Sequence, residues 1–421
     1  MNKKGLESFS ESTIYLVLVK ALSFLPLILL PLLARSETQI IFTQVMLALT
    51  IDRFAFIVYE FGSHLPNINR ISFLIQTKGI KDSTDEISLI FSQVNLLRFF
   101  IWLFLLAIIY FFLNLFEFSS INKSFLLICL ISGLFRALSP IWLFQAVRQL
   151  KYQFYMALLS KLICFSAIVY LFFLNNLSGF NFLMIFALSD FLGLAVGMIY
   201  YFSNNFKILK SSFFSFKKIV KESFHYCLGR ISSAGYNYVP PILLGILNPM
   251  NFVFFSLSER IYTALQSINA PIMDSIFAHR ISDNVTKFRR AIILVLMFSS
   301  MISFFIFIFS DLLIVLLFGK EYFQAALILR VLCVSFVIQS LSSLLGHPFL
   351  TNKGFGYITN NSVSFGFLFC FILMIFLVLN QSLTSLSVAI MLMLTEFIVL
   401  IFRLIFIFFK RYKLFNDFAD K

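Results

Sequence analysis

The chain has 421 residues, 60% of them hydrophobic and only 12% charged, with a formal net charge of +14. Soluble domains carry roughly a quarter of their residues as charges, so most of this surface must face something other than water. A secreted disulfide scaffold, a disordered chain and a soluble enzyme are excluded on that ground, and a polytopic membrane protein remains.

The opening residues MNKKGLESFSES precede an apolar run too long for a signal peptide and without a small-residue cleavage site, so the first helix is expected to persist. A hydrocarbon core of roughly 30 Å takes about 20 apolar residues per helix. That ruler places spans at 12–34, 38–61, 87–115, 120–146, 151–175 and 179–203. After a basic gap they resume at 222–247, 250–277, 289–318, 322–350, 355–379 and 383–409. The expected fold is all-α, with about twelve transmembrane helices. Tight hairpins are expected at Asn248-Pro249 and Asn380-Gln381-Ser382.

Lysine and arginine crowd into the amino terminus and alternate connections, around 70–81, 148–151, 207–221, 280–290, Lys353 and 410–421. The opposite connections hold Arg35, Lys123 and Lys320. By the positive-inside rule both termini are expected in the cytoplasm. The basic excess then reads as a topology signal that meets membrane lipid headgroups, not nucleic acid. Cys129, Cys164, Cys227, Cys333 and Cys370 lie inside apolar runs with no CxxC pair and read as apolar fillers.

The long basic connection divides the chain into expected bundles 1–210 and 211–421. An even number of helices in each makes them parallel repeats, as in transporters that hold substrate between two halves. Landmarks recur between them. Lys20 and Pro31 match Arg230 and Pro241, Asp52-Arg53 matches Glu259-Arg260, Pro140 matches Pro348, and Asp190 matches Glu396.

Charge also falls inside the spans. Lys20, Arg53, Arg98, Arg136, Lys161, Arg230, Arg260, Arg330 and Arg403 outnumber Asp52, Asp190, Glu259, Asp274 and Glu396. A charge at mid-membrane costs about 2.5–3.5 kcal/mol on the insertion scale, so most of these must face a wet interior or a partner. Ser223, Tyr226, Arg230, Ser233 and Asn237 share one helical face, as do Glu259, Thr263, Gln266, Ala270 and Asp274. Ser132, Arg136 and Ser139 form a shorter stripe. Arg98 and Arg330, near span ends, are expected to snorkel. A central cavity with surplus cations suits an anionic solute, and phosphate is what arginine grips best.

No G-x-x-x-x-G-K-[ST] occurs, which argues against an ATP-driven pump, and no cofactor is expected. His64, His225, His279 and His347 lack ligand spacing, so no metal site is expected. Short outward connections argue against a membrane glycosyltransferase or polymerase. A drug antiporter of similar architecture should favour acids over bases.

Several stretches resemble the Wzx-type O-antigen and polysaccharide flippases of the MATE-related MOP superfamily. They are Lys20-Ala-Leu-Ser-Phe-Leu-Pro-Leu-Ile-Leu-Leu-Pro-Leu-Leu-Ala-Arg35, Pro140-Ile-Trp-Leu-Phe-Gln145, Phe255-Ser-Leu-Ser-Glu-Arg-Ile261, Leu317-Phe-Gly-Lys-Glu-Tyr322 and Leu327-Ile-Leu-Arg330. Phe255 stands where the family more often has Tyr, and Ala146 where Gly is usual. The resemblance implies export of a polyprenyl-diphosphate-linked oligosaccharide across a bacterial inner membrane by alternating access. It brings with it polymerase and chain-length proteins as partners and leaves the coupling ion, H+ or Na+, open. Lys20, Arg53, Arg230 and Arg260 are then expected to contact the diphosphate where the halves meet, and Arg136 and Lys161 to extend the basic lining. Asp52, Asp190 and Glu259 would hold the cations or carry coupling protons. Pro26, Pro31, Pro240 and Pro241 are the expected bending points. A MATE-type multidrug antiporter is the leading alternative.

Overall fold

The computed structural model describes residues 14–15, 18–19, 22, 25–80, 82–116, 120–147, 149–210, 213–278 and 284–410. Among these the protein is helical, without strands. Nine of the described helices are long and apolar enough to cross a membrane, so the protein is multi-pass. The chain forms two compact units, Met1–Ile231 and Ser232–Lys421.

The first unit contains α1 (Leu25–Ser36), α2 (Gln39–Glu60), α3 (His64–Lys78), α4 (Thr84–Leu115), α5 (Lys123–Leu138), α6 (Ile141–Ala146), α7 (Leu150–Phe173) and α8 (Gly179–Ser203). The helix α9 (Phe213–Leu247) begins in it. The second unit contains the rest of α9, then α10 (Pro249–Ala278), α11 (Val285–Ile308), α12 (Ser310–Phe318), α13 (Ala325–Leu344), α14 (Gly356–Leu379) and α15 (Ser385–Phe409). The described helices follow the expected spans from residue 38 onward and both expected hairpins, with the expected spans 120–146 and 289–318 each divided in two, while most of residues 12–24 of the first expected span lies outside the described residues. The polar stripes expected in the seventh and eighth spans lie on α9 and α10, whose 35 and 30 residues run unbroken.

Helix starts follow from capping chemistry. Asn122 Oδ1 accepts from the backbone N–H groups of Ser124 and Phe125 at 3.0 and 3.2 Å, satisfying donors that the first turn leaves open. Ser178 Oγ accepts from Asn181 N at 3.2 Å, and the Glu37 carboxylate accepts from Gly179 N at 2.7 Å, adding negative charge at the positive end of α8. Thr384 and Ser387 close a reciprocal capping box on α15.

Each unit is organised around a broken helix. In the first, α5 packs on α2 and α8; in the second, α13 packs on α10 and α15. The breaks lie at Ser139-Pro140 and at Gly346, where ψ is −111° ahead of Pro348. Pro31, Pro240 and Pro241, expected to mark the bends, sit inside continuous helices instead; Pro140 matters more because its missing N–H coincides with an extended residue before it.

The sequence reading placed no helix between the second and third spans. The structure has α3 there, with Ile71 fully buried and Ile68, Leu74 and Ile75 packed against a cluster built by α4, α6 and α9. Phe91 stacks on Trp142 and Tyr201 in that cluster, with centroids 5.9 and 4.3 Å apart. This apolar plug fixes the turn from α2 to α3, on which one of the two charge networks depends.

Candidate functional site

Two charge networks occupy the first unit. In one, Asp52 of α2 pairs with Arg136 of α5, and Arg136 Nε lies 3.2 Å from Asp190 of α8. Lys161 of α7 reaches the same Asp190 at 3.0 Å, and the Ser132 hydroxyl donates to it at 2.7 Å. Four helices thus converge on two acids and two bases. Gly133 makes room for this, since a β-carbon there would meet the Tyr59 hydroxyl and the Asp52 carboxylate. The Arg136 guanidinium also lies over the Phe56 ring, 5.3 Å from its centroid.

The second network centres on Glu60, the last residue of α2. Arg230 Nη2 lies 2.6 Å from Glu60 Oε2, His64 Nδ1 lies 3.3 Å from Oε1, and Arg98 Nη2 lies 3.9 Å from Oε1. Gly62, with φ +61°, lets the α2–α3 turn approach α9; a β-carbon there would press into the backbone at Tyr226 and Cys227. That contact sets Arg230, one helical turn onward, beside Glu60.

Arg98 does not snorkel. It is 3% exposed, and its Nε and Nη1 donate to Ser63 Oγ and Ala137 O at 3.0 and 2.6 Å. Arg330, the other cation expected to reach a span end, pairs with Asp311 at 2.6 Å while donating from Nε to Ser310 Oγ at 2.8 Å. Glu60 and Asp311 had not been counted among the acids, and they absorb much of the cationic surplus expected inside the spans. Glu60 was legible in principle, being two turns beyond Asp52 on the same face of α2.

The pairs are not symmetric in exposure. The side chains of Arg136, Arg230 and Lys161 are 34%, 36% and 23% accessible, whereas those of Asp52, Glu60 and Asp190 are 4%, 5% and 8%. The acids lie behind and the cations in front, so the accessible face of each network is positive although the pairs nearly balance.

The remaining expected site residues are divided between the two units. Arg53 is half-buried on α2 beside Asp52. In the second unit Arg260 is 4% exposed on α10, and Glu259 accepts a hydrogen bond from the Thr263 hydroxyl at 2.8 Å. Glu396 accepts from the Tyr236 hydroxyl at 3.1 Å. Lys20 and the side chain of Asp274 lie outside the described residues. Among the described residues no group of three His, Cys, Asp or Glu side chains could hold a metal ion.

Comparison with known proteins places this arrangement. An inward-closed lipid II flippase, MurJ, superposes with a TM-score of 0.73 at 13% identity, over 94% of this chain and 87% of that one. A multidrug resistance MATE family transporter of the MOP superfamily superposes in its inward-facing conformation with a TM-score of 0.70 at 12% identity, over 92% and 95%. An outward-facing MATE family transporter gives 0.65 at 13% identity, over 96% and 95%. These likenesses show a shared MATE-like transporter fold. No curated protein matches the chain. The family model described as polysaccharide biosynthesis protein matches residues 9–279, well over half of the sequence, and the chain therefore belongs to that family.

Proposed function

We propose that this protein is a flippase for a polyprenyl-diphosphate-linked oligosaccharide, moving it from the cytoplasmic to the outer leaflet of a bacterial inner membrane, with both termini cytoplasmic. The observation that carries this reading is the arrangement of acids behind cations at Arg136, Lys161 and Arg230. Arginine forks complement phosphate oxygens, and a family described as polysaccharide biosynthesis proteins accords with a sugar-bearing cargo. One structure of the same fold is that of a lipid II flippase, and a flippase role for this chain accords with that likeness.

In this proposal Lys20, Arg53, Arg230 and Arg260 contact the diphosphate, Arg136 and Lys161 extend the basic lining, and Asp52, Asp190 and Glu259 hold cations or exchange coupling protons. The two units, with the first running through the long basic connection, act as the moving parts of an alternating-access cycle. No bond is made or broken in the cargo, so the protein is a transporter rather than an enzyme.

Gene disruption tests the reading. The expected outcome is lost or truncated surface glycan with lipid-linked oligosaccharide accumulating on the inner leaflet. Intact glycan with heightened drug sensitivity would instead establish a MATE-type antiporter. Arg230→Ala and Arg260→Ala are each expected to abolish export while inserting normally. Lys123→Ala, an exposed residue whose ammonium reaches only Asn114 at 3.3 Å in the described structure, is expected to export as wild type.

A further inference from the structure

The network at Glu60 has one more feature than a static ion pair needs. Arg230 Nη2 and Glu60 Oε2 are 2.6 Å apart, yet Oε2 has no hydrogen bond, so the contact is Coulombic and poorly aligned. Behind Glu60 stands a second guanidinium. Arg98 is anchored by Ser63 Oγ and Ala137 O through Nε and Nη1, while its Nη2 is buried and without a hydrogen-bond acceptor. That nitrogen lies 3.9 Å from Glu60 Oε1, with His64 on the same oxygen at 3.3 Å. One carboxylate therefore has a half-buried arginine in front and a fixed, under-used arginine behind.

We infer that Glu60 is the resident anion of a diphosphate subsite: it occupies Arg230 in the empty protein and passes to Arg98 when a diphosphate takes Arg230. The inference rests on the flippase reading for the identity of the ligand, but its geometry is independent of it. A buried carboxylate that loses its nearest charged partner is strongly disfavoured. Here Arg98 removes that obstacle, because closing the remaining gap gives Glu60 a new partner and Arg98 Nη2 its missing acceptor. Binding and release become an exchange of one anion for another at Arg230. Such an exchange keeps the site from holding its cargo too tightly to let go.

The test uses the purified full chain in phosphatidylcholine nanodiscs, titrated calorimetrically with inorganic pyrophosphate. Arg230→Ala is expected to lose the binding, and Glu60→Gln to tighten it by about tenfold, since the competing charge is gone. Arg98→Gln is expected to weaken binding by about tenfold, because Glu60 then has no second cation to pass to. The decisive variant is Glu60→Gln with Arg98→Gln, which should restore pyrophosphate affinity to that of Glu60→Gln alone. If the double variant stays weak, Arg98 is simply another phosphate ligand or a structural prop, and the exchange is overturned. Unchanged or weakened binding in Glu60→Gln, or wild-type binding in Arg230→Ala, overturns it as well.

Phosphatidylglycerol discs separate the two sources of phosphate. A site for diphosphates keeps its pyrophosphate signal there, whereas suppression of that signal in the wild type would show that ordinary headgroups occupy Arg230 and would overturn the diphosphate assignment. If the variant series behaves as stated while the gene-disrupted cells keep full surface glycan, the flippase reading fails and the exchange stands.

Discussion

The two broken helices, α5 and α13, solve the same problem in different ways. In α5 the break frees three carbonyls in succession: Arg136 O accepts from Ser139 N at 3.3 Å, Ala137 O from Arg98 Nη1 at 2.6 Å, and Leu138 O from Asn95 Nδ2 at 3.4 Å. In α13 the break at Gly346 leaves Ser342 O to accept from Arg403 Nη1 at 2.5 Å. The other Arg403 nitrogens donate to Ser362 Oγ and Thr359 O at 2.9 and 3.4 Å. Each unit thus spends a buried arginine on a helix that cannot satisfy itself in a setting without water.

The difference lies in what stands beyond the arginine. Arg98 leads to Glu60 and on to the accessible Arg230, whereas Arg403 is consumed by carbonyls and hydroxyls of α13 and α14. Glu396, two turns before Arg403 on α15, turns to Tyr236 instead. The lesson is that a cation inside a membrane helix is not by itself a ligand contact. Its exposure relative to its acid separates display from repair.

The largest effect expected is from Arg98→Met. It strands Ala137 O and removes the second partner of Glu60, and breaking into a buried charge network costs about 3–5 kcal/mol. The measurement is thermal or denaturant unfolding in detergent, and Glu60→Gln should recover part of the loss. Arg403→Met should cost less, about 1–3 kcal/mol for carbonyls left unsatisfied, and Glu396→Gln should recover a smaller share of it. Equal rescue in both units would erase the distinction between them.

Much of this fold was legible because apolar runs of the right length are interrupted by polar turns, as at Asn248-Pro249 between α9 and α10. The helix α3 does not read as a span because it has 15 residues and carries Arg70 and Lys78, although Ile68, Ile71 and Leu74 recur at helical spacing. The site was less legible, for a physical reason. Asp52 meets Arg136 across 84 residues, and Lys161 meets Asp190 across 29, so pairing is a tertiary fact that helical periodicity does not encode. Periodicity groups residues on one helical face, but does not say which acid stands behind which base. The count of surplus cations misled because Glu60, at the edge of its span, had been left out of it.

A smaller perturbation sharpens the contrast between the accessible networks and the sealed one. Gly133→Ala places a methyl against the Tyr59 hydroxyl and the Asp52 carboxylate, both of which must shift to admit it. Overpacking of this kind costs about 1–3 kcal/mol, and it should disturb the Arg136 pair without touching Glu60. Pyrophosphate binding at Arg230 should therefore survive in Gly133→Ala even as the melting temperature falls. Lost binding would mean that the two networks in the first unit act as one.

The smallest effect is expected where display and repair are both absent. Arg330 and Asp311 pair at 2.6 Å, but their side chains are 32% and 44% accessible. A pair this open gains little, with measured values of about 0–1 kcal/mol, and its Coulomb part is screened by salt. Asp311→Asn should leave both stability and export near wild type, and Arg330 retains the Ser310 hydroxyl as a partner at 2.8 Å. Export abolished by Asp311→Asn, with insertion intact, would show that exposure relative to the acid is the wrong criterion. An intramembrane arginine would then have to be judged by its position along the helix rather than by what stands behind it.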